Sequence, residues 1–387
     1  MDPLMAQPLP AEVVDLTTVL ADAQLANPVM TASGCAAAGQ ELAQFFDVSA
    51  LGAVVTKSIM RDARSGRATP RMTETPSGML NSIGLQGPGI NAFLARDLPW
   101  LLHHDARPIV SIAGSSLGEY AELARRVGNT PGVAAIEVNI SCPNVEDRGL
   151  VFACDPVQSG RVLSAVRRDV PRGVPVFAKL SPDVTSIVDI ARSVVEAGAD
   201  GLVLINTLLG LSINFATMRP ELGGVTGGLS GPAVRPVAVR AVWQVANALP
   251  GVPIIGVGGI RTGADALEFL VAGASAVQVG TTIFSDPQAP IRVLEELRSE
   301  LAAHGFAKAQ DAVGFANRRI GFGPSVTCVR PLRCQIAGRD GHAWAAVPGH
   351  RPTPELAGKL GPRTTTCKGW RDSRSRRSKL SLSRLRS

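Results

Sequence analysis

No two of the six cysteines form a CxxC pair, so the spacing that structural zinc and self-contained iron–sulfur sites need is missing. Six cysteines are also too few to frame a chain of 387 residues with disulfides. Positive charge is absent early on. The first basic residue is Lys57, so there is neither the basic start of a secretory signal nor an Arg-rich transit peptide. Long apolar runs are lacking too: the longest, 199–216, is broken by Asp200, Asn206 and Asn214 and is too polar to span a bilayer. These absences predict a cytoplasmic protein with no metal site and no membrane segment.

The remaining composition, 45% hydrophobic and 18% charged, is that of an ordinary globular protein. Its net charge of +7 suggests an anionic partner such as nucleic acid until it is divided along the chain. Residues 1–317 hold 23 Lys and Arg against 29 Asp and Glu, whereas residues 318–387 hold 16 against 3. The basicity therefore belongs to the tail, which ends in the low-complexity run RDSRSRRSKLSLSRLRS. The expected organisation is one catalytic domain over 1–317 and an unfolded basic tail over 318–387. Such a tail is either an arm for an anionic partner or the product of out-of-frame or read-through translation.

Within the body, short apolar runs alternate eight times with segments of helical periodicity. The predicted strands are Asn27–Ser33, Ala53–Ile59, Pro108–Gly114 and Ala135–Ser141, then Val176–Pro182, Gly201–Thr207, Ile254–Gly259 and Ala276–Thr281. Each is almost continuously hydrophobic with polar residues at its C-terminal end, as parallel strands buried on both faces require. Amphipathic helices are expected at Gly118–Val127, Val157–Asp169, Ser186–Ala197, Val234–Leu249 and Gly263–Ala272. The regular repetition predicts an α/β fold, a (β/α)8 TIM barrel with an N-terminal extension, in preference to a doubly wound open sheet. Two long connections rich in Gly, Pro, Ser and Asn, Met60–Pro99 and Leu208–Pro232, follow strand C-termini and are expected to cover the pocket.

Polar residues at strand ends converge on one site in a barrel. Lys57, Asn139, Cys142, Lys179, Asn206 and Thr207 are in such positions. Gly258–Gly259 and Gly280–Thr281 open the loops after the seventh and eighth strands, where barrels turn backbone N–H groups toward a phosphate. Lys57 and Lys179 sit in otherwise apolar strands, where an ammonium needs a partner; beside a phosphate site they suggest an electron-rich ligand ring. Cys142, in NISCPN, reads either as a small buried hydrophobe or as a functional thiol, and its Asn and Pro flanks favour the thiol.

The segments ASG at 32–34, TKS at 56–58, NSIGLQGPG at 81–89, NISCPN at 139–144, INT at 205–207, GGLSGPA at 227–233 and VGGI at 257–260 together resemble dihydroorotate dehydrogenase. The resemblance runs over about residues 14–310 and keeps the family's order. It implies one FMN per chain and oxidation of (S)-dihydroorotate to orotate in pyrimidine (UMP) biosynthesis. Cys142 matches the base that removes the C5 proton, and Lys57 the lysine touching both flavin and substrate. Ser33, Ser58, Asn139, Lys179, Ile205, Gly231, Gly258, Gly259, Gly280 and Thr281 match flavin contacts. Asn81, Ser82, Ile83, Gly84, Leu85, Asn139, Asn144, Asn206 and Thr207 match the substrate site.

A cysteine base is the mark of class 1, and TGGLSGPAVRPVAVRAVWQV resembles the NAD-linked type, class 1B. That type implies a homodimeric core in a heterotetramer with an electron-transfer subunit carrying FAD and a 2Fe–2S cluster; neither nucleic acid nor membrane is implied. Departures from the family pattern are Ser111, in place of an Asn that contacts the flavin, Cys35 in the first turn, and Cys154, read as structural. Two other readings stand beside this one. One is a dihydropyrimidine dehydrogenase-like oxidoreductase, and the other a non-catalytic barrel whose basic tail binds nucleic acid.

Overall fold

A computed structural model of the chain describes residues 7–140 and 154–318. Cys142, Asn144 and all but the first residue of the 318–387 tail lie outside the described residues. Eight parallel strands form one sheet: β1 (Val29–Thr31), β2 (Val54–Val55), β3 (Pro108–Ile112), β4 (Ala135–Asn139), β5 (Val176–Leu180), β6 (Gly201–Leu204), β7 (Ile254–Val257) and β8 (Ala276–Val279). Their spatial order is β1–β8–β7–β6–β5–β4–β3–β2, and a parallel bridge between Met30 and Ala53 joins the two ends. The expected (β/α)8 barrel is what the chain forms.

Alternation along the strands separates two cores. Inward side chains of Met30, Ala53, Ile109, Ala135, Phe177, Val203, Ile255 and Ala276 form a cluster inside the barrel. Leu20 and Leu25 complete it from an N-terminal hairpin, Thr18–Leu20 with Ala23–Leu25. Thr18 Oγ1 donates to the carbonyl of Ser275 at the start of β8, which fixes this hairpin as a plug at the N-terminal end of the barrel. Outward residues such as Ile136, Val138 and Leu202 pack against the helices in a second cluster.

Among the described residues, the α-helices of six residues or more are α1 (Leu98–His103), α2 (Leu117–Gly128), α3 (Pro156–Asp169), α4 (Ile187–Glu196), α5 (Arg235–Ala248), α6 (Gly263–Ala272) and α7 (Ala289–Ala303). Their starts are written in the sequence: Ser116, Asp155, Ser186 and Thr262 each accept an N–H of the first turn, and Thr262 forms a capping box with Asp265. Among the described residues, no helix is long and apolar enough to cross a membrane.

Strands end earlier than their apolar runs. The Ile254–Gly259 run stops at Val257 because Gly258 and Gly259 take φ of +138° and +76°, outside the strand region. The Ala53–Ile59 run narrows to Val54–Val55 because the Lys57 N–H leaves the ladder for the carbonyl of Ala37. Both long connections lie over the C-terminal end of the barrel, and they do so jointly. Met72–Thr75 and Gly78–Asn81 from the first pair with Gly227–Ser230 and Leu208–Gly210 from the second, giving a four-stranded antiparallel lid sheet.

Candidate active site

Under this lid the strand ends enclose a cavity of about 380 Å³. It is lined by Ser33 and Cys35 after β1, Lys57 and Ser58 after β2, Asn139 at the end of β4 and Lys179 of β5. Ile205, Asn206 and Thr207 follow from β6, Gly258 and Gly259 from β7, and Gly280 and Thr281 from β8. The lid adds Asn81, Ile83, Gly84, Leu85 and Gly231. Every described residue expected at the site thus meets in one cavity, except Ser82. Its side chain is fully buried beside the lid and accepts from Arg67 Nη1 at 3.4 Å, so Ser82 contributes backbone only to the loop that carries its neighbours. Apolar walls from Met72, Met79, Leu229, Val257 and Phe284 were not foreseen, and they give the mostly apolar, few-polar character of small-molecule sites.

Glycine is required in the turn after β7. A Cβ on Gly259 would lie 2.7 Å from the carbonyl oxygen of Gly231 and 2.9 Å from Arg235 Cβ, and one on Gly258 2.9 Å from Ala238 Cβ. The turn after β7 is further braced by Asp265, whose Oδ2 accepts from the N–H groups of Arg261 (2.9 Å) and Thr262 (3.1 Å) while Oδ1 pairs with Arg235.

Beneath the cavity the structure adds polar residues that strand reading missed. Glu137, fully buried in β4, accepts from Gln278 Nε2 at 2.8 Å and from Ser111 Oγ at 3.1 Å, and its Oε1 lies 3.8 Å from Lys179 Nζ. Lys179, 4% exposed, donates to Ser33 Oγ at 2.9 Å and Gln278 Oε1 at 3.4 Å. The partner that a strand lysine needs is therefore Glu137. The sequence held a signal for it, since Glu137 and Asn139 are two residues apart and share one face of their strand.

Ser111 does not line the cavity. Its hydroxyl lies between Ser58 Oγ, 2.9 Å away, and Glu137. Asn139 Nδ2 donates to Ser58 Oγ at 3.0 Å, and Asn206 Nδ2 to Asn139 Oδ1 at 3.2 Å. Cys35 is half-buried in the cavity wall. Burial pushes its thiol up from 9.0 to about 11, against the opposing pull of Lys179 and Lys57. Cys154 donates to the carbonyl of Asp183 at 3.6 Å, and burial followed by the Asp183 charge pushes its thiol up as well.

The profile of the dihydroorotate dehydrogenase family matches residues 15–301. The chain is 50% identical over 300 residues to dihydroorotate dehydrogenase B (NAD(+)), catalytic subunit, of Pelobacter propionicus, covering 78% of this chain and 98% of that one. The proteins of the same name from Geotalea uraniireducens and Anoxybacillus flavithermus are 49% and 46% identical over 300 and 299 residues, or 78% and 77% of this chain and 97% and 95% of theirs. A family match that runs from the barrel plug into α7, with half of the aligned residues shared with one relative, means that this chain belongs to the dihydroorotate dehydrogenase family.

Proposed function

We propose that the chain is the catalytic subunit of an NAD-linked dihydroorotate dehydrogenase, which oxidises (S)-dihydroorotate to orotate with one FMN held in the barrel cavity. The observation that carries this reading is the convergence, in one cavity of about 380 Å³, of two lysines, three amide side chains and the glycine turns of β7 and β8. The residues suit the flavin nucleotide. Backbone at Gly258, Gly259, Gly280 and Thr281 offers N–H groups to a phosphate, in a turn so close to its neighbours that a Cβ at Gly259 would meet the Gly231 carbonyl oxygen at 2.7 Å. Lys179, held by Ser33, Gln278 and Glu137, supplies a fixed cation for the electron-rich ring, with Ser33, Ser58, Ile205 and Gly231 around it.

When bound, FMN supplies the hydride acceptor. The chain's own residues bind the substrate, keep water out and move one proton. The amides of Asn81, Asn139, Asn144 and Asn206 and the Thr207 hydroxyl supply the donor and acceptor pattern of a dihydropyrimidine ring and its carboxylate. Lys57 contributes a cation toward the same carboxylate. The lid sheet, with Ile83, Gly84 and Leu85 at its base, excludes water. Cys142, three residues beyond Asn139, acts as the base that takes the C5 proton. A separate subunit with FAD and a 2Fe–2S cluster carries the electrons on to NAD, in a heterotetramer built on a homodimer of this chain; the word "subunit" in the relatives' names favours a partner.

The purified chain should be yellow, release FMN on unfolding and oxidise dihydroorotate with an artificial acceptor. Cys142→Ala should keep the flavin and lose turnover. Colourless protein, or turnover of dihydrouracil instead of dihydroorotate, overturns the reading.

A further inference from the structure

The buried hydrogen bonds beneath the cavity form one directed chain. A carboxylate can only accept, so the Ser111 hydroxyl must donate to Glu137, 3.1 Å away. Ser111 Oγ is then left as acceptor for the Ser58 hydroxyl at 2.9 Å. Ser58 Oγ in turn accepts from Asn139 Nδ2 at 3.0 Å, and Asn139 Oδ1 accepts from Asn206 Nδ2 at 3.2 Å. Every donor along Asn206, Asn139, Ser58 and Ser111 points toward the carboxylate.

The far end of the chain is set by a backbone donor: the Thr207 N–H donates to Asn206 Oδ1 at 2.8 Å, so Asn206 Nδ2 is left to donate to Asn139. Glu137 holds the near end. Its charge is held in place by Gln278 Nε2 at 2.8 Å and by Lys179 Nζ at 3.8 Å, so its acceptor role is fixed where no water reaches it. Aligned hydrogen bonds at low dielectric also strengthen one another.

We propose that Glu137 is a positioning residue which, through Ser111 and Ser58, holds the Asn139 amide in place against the pyrimidine ligand, while the Thr207 N–H sets the Asn206 end of the same chain. The inference rests on the dihydroorotate reading above. It assigns to Ser111, the departure from the family pattern, the link that ties the Asn139 amide, by way of Ser58, to the buried carboxylate.

The test uses FMN-loaded enzyme and reads orotate affinity from the perturbation of the flavin absorbance band, alongside steady-state kinetics with dihydroorotate. Ser111→Ala breaks the chain while removing one oxygen. It should weaken orotate binding and raise KM about tenfold, with FMN content unchanged and a smaller change in kcat. Ser111→Thr restores a hydroxyl and should recover most of the affinity. Glu137→Gln should act in the same direction as Ser111→Ala; if it does not accumulate as folded protein, the Ser111 pair alone decides. Orotate affinity within twofold of wild type in Ser111→Ala, or equal losses in the Ala and Thr variants, overturns the proposal. Failure of the wild-type chain to bind FMN or orotate would overturn the underlying reading instead.

Discussion

Tyr120, the only tyrosine of the chain, reaches in from α2 and donates its hydroxyl to the main-chain carbonyl of Asn139, 2.8 Å away. The contact is buried and ties an outer helix to the strand end from which the Asn139 amide projects into the cavity. Tyr120→Phe leaves the packing intact but removes the donor from a buried carbonyl, a change that costs about 1–3 kcal/mol. Denaturant unfolding should register that loss. Turnover should fall by more than FMN binding does, because the displaced group is Asn139 and not the glycine turns after β7 and β8 that are proposed to hold the phosphate.

Gly259 combines φ of +76° with a site where a Cβ would meet the Gly231 carbonyl oxygen at 2.7 Å. Gly259→Ala therefore strains the turn after β7 by about 1–3 kcal/mol and pushes apart the two backbone segments that meet there. FMN fluorescence titration should find weaker cofactor binding, with a lower melting temperature for the apoprotein. Gly251, also at positive φ but with no atom within 4 Å of its would-be Cβ, is the control: alanine there should cost stability only.

The barrel was legible because its strands are largely apolar runs that end in chemistry-bearing residues, and because four of the helices between them open on a Ser, Asp or Thr cap. Strand ends were less legible. Apolar character continues to Gly259, but backbone conformation stops β7 at Val257. Of the site, the residues at strand C-termini could be read directly, whereas Glu137 and Gln278 lie mid-strand in AIEVN and AVQV and give themselves away only by sharing a face with Asn139 or facing Lys179. The lid sheet was not readable at all. Its central pairing joins Leu80 to Leu229, and no local periodicity announces a partner so far along the chain.

Cys35 makes stability depend on alkaline pH. Burial raises its thiol from 9.0 to about 11, so the folded chain holds this proton more tightly than the unfolded one. The sign follows from proton linkage: the contribution is complete below pH 9 and is lost as pH climbs toward about 11. Urea unfolding at pH 8, 9, 10 and 11 should show a decline that is shallower in Cys35→Ala. At pH 8 the thiol should also react slowly with iodoacetamide, because little thiolate is present. Rapid alkylation of Cys35 at pH 8 would contradict this assignment.

Asp183 connects the turn after β5 to the lid. Its carboxylate oxygens both lie 3.2 Å from the N–H of Leu209, in the lid strand Leu208–Gly210, while its own N–H donates to Ser181 Oγ at 3.1 Å. The contact is solvent-exposed, so it adds little to global stability. Its effect is local: it holds the strand that follows Asn206 and Thr207 over the cavity. Asp183→Ala should leave the melting temperature nearly unchanged and speed hydrogen exchange across 208–230. Loss of one hydrogen bond worth about 1 kcal/mol corresponds to roughly a fivefold rise in KM for dihydroorotate with kcat little altered. Asp183→Asn keeps an acceptor oxygen and should behave close to wild type. Equal exchange rates in the Ala variant and the wild type would mean that the lid is held by its own sheet pairing and not by this carboxylate.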